Sequence, residues 1–129
     1  MTDEIQPRAR LVYVAGAYEG GNIIDTQANM RRGHALALAA LNAGYAVYDP
    51  WLDFTWGLLA PVARRDYQEN SMTFLSRCDA LLVAPQSENS EGTKAEVAYA
   101  LTHGVPVFHD FDALVKAMPP WGGEVSDGA

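Results

Sequence analysis

One cysteine, Cys78, stands in 129 residues, so no intrachain disulfide can form, and the chain is expected in a reducing compartment. The histidines are His34, His103 and His109. None has the cysteine spacing of a structural zinc site, and no H-E-x-x-H occurs, so no metal or other cofactor is expected. No run approaches the roughly 20 apolar residues of a membrane span. The opening ten residues are polar and lack the apolar centre of a signal peptide. These absences predict a cytoplasmic protein with no membrane partner. Basic residues are also scarce: nine Lys and Arg face sixteen Asp and Glu, for a net charge of -7. A phosphate polymer would find no broad basic surface, so nucleic acid is excluded as a partner. A single phosphate is a smaller demand, within reach of one local cation among Arg31, Arg32, Arg64, Arg65 and Lys94.

What is present suits one folded domain: 49% of residues are apolar and 10% aromatic. Leu11 to Ala15 is a short β-rich run ending at Gly16, as expected of a strand covered on both faces. Helical spacing of Met30, Ala37 and Leu41 predicts a helix over residues 25–42, closed by Gly44. A strand at 45–48 stops at Asp49-Pro50, and residues 51–60 read as aromatic and irregular. Pro61 suits the first turn of a second helix whose stripe holds Tyr67, Ser71, Phe74, Leu75 and Cys78. A strand at 80–84, a helix at 92–103, a strand at 105–108 and a helix at 111–118 complete the pattern. The domain is expected over 1–118, with 119–129 a loose tail docked only by Trp121.

Alternating strands and helices predict an α/β fold. We expect a flavodoxin- or Rossmann-like three-layer sandwich with a four- or five-stranded, mainly parallel sheet. Ligands of such sheets bind beyond the carboxyl ends of the strands, where the strand order reverses. Three loops should meet there, at 16–22, 49–55 and 85–93. The first holds Gly16, Tyr18 and Gly20. Its glycines admit backbone close to a ligand or simply make a turn, and it matches neither the P-loop nor the dinucleotide fingerprint. The missing fingerprint also argues against a dinucleotide oxidoreductase with Asp49 on a ribose. The third loop leads into Ser90-Glu-Gly-Thr-Lys-Ala-Glu96. Two readings stand for Glu96: a capping box with Thr93, or a carboxylate presented to a ligand.

In order along the chain, Val12-Tyr-Val-Ala-Gly-Ala-Tyr18, Cys78-Asp-Ala-Leu-Leu-Val83, Ser90-x-Gly92-x-x-x-Glu96-x-x-Tyr99-Ala100 and Gly104-Val-Pro-Val107 resemble one family. It is the nucleoside 2-deoxyribosyltransferase-like superfamily, which includes nucleotide N-glycosidases and small phage and bacterial relatives. The resemblance covers about residues 11–110. It implies cleavage or transfer at the N-glycosidic bond of a nucleoside or nucleoside 5′-monophosphate, with Glu96 as the nucleophile. A helix N-terminus would lower its carboxyl pKa. Ser90 matches the serine that contacts a 5′-phosphate in the N-glycosidase branch, and Gly92 would lie near the sugar or phosphate. Tyr18 would stack on the base or orient Glu96, with Gly16 and Gly20 beside it, and Asp49 and Trp51 would line the base pocket. Relatives carry an aspartate eight residues before the one that opens the third strand, where this chain has Ser71. Serine cannot serve as a carboxylic acid, so the leaving base would take its proton from Asp53, Asp66 or water, with Ser71 left to hydrogen-bond the base. That departure keeps an alternative open, a non-catalytic nucleotide-binding or sensing module. Resemblance further implies a homodimer or higher homo-oligomer, with the aromatic stretch 51–56 as a contact surface.

Overall fold

A computed structural model describes residues 4–122. Four strands, β1 (Leu11–Ala15), β2 (Ala46–Tyr48), β3 (Ala80–Val83) and β4 (Val107–Phe108), form one parallel sheet in the order β2-β1-β3-β4. The helices are α1 (Ile23–Ala43), α2 (Arg64–Leu75), α3 (Glu91–Thr102) and α4 (Phe111–Ala117), and a 3-10 helix spans Pro50–Leu58. The architecture is a single-sheet, Rossmann-like α/β sandwich.

Period-two alternation in β1 builds its two faces. Val12 and Val14 pack with Ala37 and Ala40 of α1 and Leu114 of α4. Tyr13 and Ala15 point the other way, to Leu75 of α2 and Ala100 of α3. Helices on both faces explain why β3 is wholly buried and reads as uninterrupted Ala-Leu-Leu-Val. Because β1 lies between β2 and β3, the strand order reverses at β1 and β3, and the crevice opens beyond their carboxyl ends.

Several boundaries differ from the sequence pattern. Asn22 caps α1 by accepting from the Asp25 amide at 2.9 Å, so that helix starts before residue 25. Gly44, at φ 117, closes it in the left-handed region that glycine enters freely. Residues 50–58 are helical rather than irregular, with Asp49 accepting from the Trp51 amide at 3.2 Å. Pro61 lies outside α2, which starts at Arg64, and β4 keeps only two ladder residues. The early part of the expected tail is docked: Arg10 Nε donates to the Pro119 carbonyl at 2.8 Å, and Pro119 and Pro120 are half-buried. Trp121 is 74% exposed and is not the anchor. The remainder of that tail lies outside the described residues. Among those described, no helix is long and apolar enough to cross a membrane.

Gly33 shows how α1 is seated. A Cβ there would lie 2.5 Å from the buried Trp51 ring, so only glycine lets the helix backbone rest on the indole. The indole also presses on Gly16, whose added Cβ would meet it at 2.9 Å. Trp51 thereby ties α1, the end of β1 and the 3-10 helix together.

Candidate functional site

A cleft of about 1180 Å³ opens at the carboxyl ends of β1 and β3. The first loop supplies Gly16 and Tyr18, the 3-10 helix Trp51 and Asp53, α2 Arg64 and Ser71, and the start of α3 Ser90, Gly92 and Glu96. A smaller cavity of about 430 Å³ lies beside Ser87, Lys94, Leu101 and His109. Among the described residues, no cluster of His, Cys, Asp and Glu could hold a metal ion.

Ser90 settles the question of the α3 cap. Its Oγ accepts from the Thr93 amide at 3.2 Å and from the Thr93 hydroxyl at 3.0 Å. The cap is therefore Ser90 and not Thr93, and Glu96 is the sixth helical residue, too far along to reach back as a capping box requires. Instead the Glu96 carboxylate accepts from the Tyr13 hydroxyl. Tyr13 is fully buried in β1 with its ring 5.1 Å from that of Tyr48, and the Ser71 hydroxyl pulls the pKa of both phenols down. Asn70 donates to the Tyr48 hydroxyl at 3.3 Å, and Phe74 stacks on the Tyr48 ring at 4.3 Å. Asn70 of α2 thus holds Tyr48, and Tyr13, whose ring meets that of Tyr48, holds Glu96.

Burial pushes the Glu96 carboxyl up to about 7, the Tyr13 hydrogen bond pulls it down, and the charge of Asp53 pushes it up again. The expected lowering by the helix terminus is not found. A sixth residue lies beyond the first turn, where the dipole acts most strongly, and desolvation dominates. Burial and the adjacent Glu96 charge raise the Tyr13 phenol, so it stays a hydrogen-bond donor through the neutral range. Asp53, half-buried, is also raised, first by burial and then by the charge of Asp49.

Not every candidate from the sequence reaches the cleft. Asp49 does not line it: its Oδ2 lies 2.6 Å from His34 Nδ1, and its other oxygen caps the 3-10 helix. Gly20 is turned against α1, its amide donating to Thr26 Oγ1 at 2.9 Å, and a Cβ would strike Asp25 at 2.3 Å. Trp51 forms a wall, but its indole N–H is spent on the Ala17 carbonyl at 3.1 Å. Tyr18 edges the cleft, 37% exposed, while the phenol that orients Glu96 belongs to Tyr13. Of the two proton sources considered, Asp53 lines the cleft and Asp66 does not.

Composition did not single out Tyr13, which passes for one more core residue of a strand. The signal was there, since it is the one hydroxyl within Leu-Val-Tyr-Val-Ala, and a buried tyrosine hydroxyl requires a partner. Among the five candidate cations Arg64 lines the cleft. Arg65 pairs with Glu69 at 3.3 Å, Lys94 pairs with Glu91 at 3.3 Å, and Arg32 bonds Asn29.

No curated protein matches the chain. A family model described as a domain of unknown function, DUF4406, matches residues 10–109. That span contains all four strands, the first three helices and every residue named above as lining the cleft. The chain therefore belongs to the DUF4406 family.

Proposed function

We propose that the protein cleaves or transfers at the N-glycosidic bond of a nucleoside or nucleoside 5′-monophosphate, with Glu96 as the nucleophile. The carrying observation is the Glu96 carboxylate itself, which lines the cleft, takes no part in capping and has one oxygen held by Tyr13. A half-buried carboxylate poised at about 7 is ionised in a large fraction of molecules at neutral pH, as attack on an anomeric carbon requires. Tyr13 fixes one oxygen and leaves the other for C1′. The ester so formed passes its sugar to water or to a second base, and the reaction needs no cofactor. Ser90 keeps its own hydroxyl hydrogen after accepting two bonds, and with Arg64 it supports the phosphorylated form of the substrate. The ordered motifs that resemble the nucleoside 2-deoxyribosyltransferase-like superfamily support the same chemistry.

Incubation with a panel of nucleosides and nucleoside 5′-monophosphates, with chromatography of free bases, tests this reading. Base release from at least one substrate, lost in Glu96→Gln with the circular dichroism spectrum unchanged, is the expected result. No release from any of them, or full activity in Glu96→Gln, overturns it.

One residue favours a second reading, a nucleotide-binding or sensing module without turnover: Ser71 lines the cleft where the superfamily that the chain resembles carries an aspartate, and a hydroxyl is no carboxylic acid. Calorimetric binding of a ligand recovered intact after long incubation distinguishes it. Both readings place the protein in the cytoplasm, supported by the free, buried thiol of Cys78. Both also assemble it as a homo-oligomer, supported by the exposed Leu52, Phe54, Trp56 and Leu58 of the 3-10 helix. A single monomeric species in sedimentation equilibrium removes the assembly alone.

A further inference from the structure

Breaking an N-glycosidic bond leaves an electron pair on the base nitrogen, and an unprotonated purine or pyrimidine is a poor leaving group. That proton comes from water or from an acid of the cleft. Ser71 is not one. Tyr13 already spends its hydroxyl hydrogen on Glu96, Glu19 is exposed, and Glu91 is 82% exposed at its side chain and paired with Lys94. Asp53 differs from all three. It is half-buried in the cleft wall, and among the described residues its carboxyl has no hydrogen-bond or ion-pair partner. The chain leading into it is held by the Asp49 cap and by the buried Trp51 two residues before it. Asp53 and Glu96 line the same cleft, and the Asp53 charge pushes the Glu96 carboxyl up.

Resting on the N-glycosidase reading, we propose that Asp53 is the general acid and base of the cleft, replacing from the 3-10 helix the carboxyl that α2 lacks at Ser71. In the first half-reaction a Glu96 oxygen forms a bond to C1′ as the C1′–N bond breaks, and the base nitrogen keeps the pair and takes the Asp53 proton. In the second, a water oxygen attacks C1′, its proton passes to the Asp53 carboxylate, and Glu96 leaves as a carboxylate. The sum is substrate plus water giving free sugar and free base. Burial and the neighbouring Asp49 charge favour the protonated form of Asp53 that the first half needs. Two carboxyls in one cleft thereby take different parts, Glu96 held by a phenol and Asp53 unpaired.

The leaving group separates this role from a structural one. Wild type and Asp53→Asn are compared on the nucleoside that releases base fastest and on the nitrophenyl glycoside of the same sugar, whose leaving group departs without a proton. General-acid catalysis contributes about 10²–10⁴-fold, so base release should fall by that factor in Asp53→Asn while the first burst of nitrophenolate stays within about 10-fold of wild type. In Asp53→Ala, added formate should restore base release, which a structural role would not produce. Equal losses on both substrates, undiminished base release, or no rescue by formate overturns the role of Asp53 and leaves Glu96 standing. If wild type releases neither base nor nitrophenolate, or Glu96→Gln releases both, the Glu96 reading fails and takes this role with it.

Discussion

Glu96 binds its proton more tightly in the folded protein than in the unfolded chain, since burial raises its carboxyl from 4.5 to about 7. Folding therefore takes up a proton between those values. The associated stability is complete below about pH 4.5 and is lost as pH rises through about 7, a term of about 3 kcal/mol for such a shift. Glu96→Gln removes that titration. Relative to wild type it should gain about 3 kcal/mol of stability between pH 4 and pH 8, measured by urea unfolding at each pH, and a constant difference would count against the buried carboxylate. Tyr13→Phe tests the opposing influence. Without the phenol, the one hydrogen bond that lowers the Glu96 carboxyl is gone, so its midpoint should move above 7 by about one unit. The rising limb of base release against pH should shift to alkaline pH by the same amount, and an unmoved limb would show that Tyr13 does not govern Glu96.

Among the elements, α1 has the least obvious glycine. Helix propensity alone says that Gly33→Ala should gain up to about 1 kcal/mol. The Trp51 ring reverses that sign, because the added Cβ would lie 2.5 Å from the indole and neither the helix nor a fully packed tryptophan can retreat cheaply. We expect Gly33→Ala to lose about 1–3 kcal/mol, visible as a lower Tm, and an increase would mean that Trp51 is not seated as described. The 3-10 helix was illegible for a related reason. Its run Pro-Trp-Leu-Asp-Phe-Thr-Trp-Gly-Leu carries no period, and its position is set by Trp51 entering the core and by the Ala17 carbonyl that receives the indole N–H. In α3 the sequence pointed to Thr93 as the cap. The choice fell to Ser90, where the loop from β3 joins the helix, and that choice freed Glu96.

At the scale of the whole molecule, a net charge of -7 surrounds a cleft whose wall carries Glu19, Asp53, Glu91 and Glu96 against Arg64. Long-range repulsion should slow the approach of a phosphorylated substrate, and salt screens it over a Debye length of about 10 Å at 0.1 M. Association with a nucleoside 5′-monophosphate should therefore quicken between about 10 and 150 mM salt while that with the unphosphorylated nucleoside stays flat. Stopped-flow fluorescence checks it, and a rate that falls with salt would mean that Arg64 outweighs the acids. By itself the sequence determined the order of strands and helices and the end of the sheet where the cleft opens, because hydrophobic period and turn residues act over a few neighbouring positions. β1 was legible to the residue, and Glu96 was already placed at the crevice. Only the tertiary structure decided what Glu96 is engaged with, since its partner Tyr13 lies 83 residues away and meets it only when α3 packs on β1. Other tertiary contacts turned Asp49 to His34 of α1, left Asp53 unpaired in the cleft and set the proton affinity of Glu96, because burial and charge depend on everything nearby in space and on almost nothing nearby in the chain.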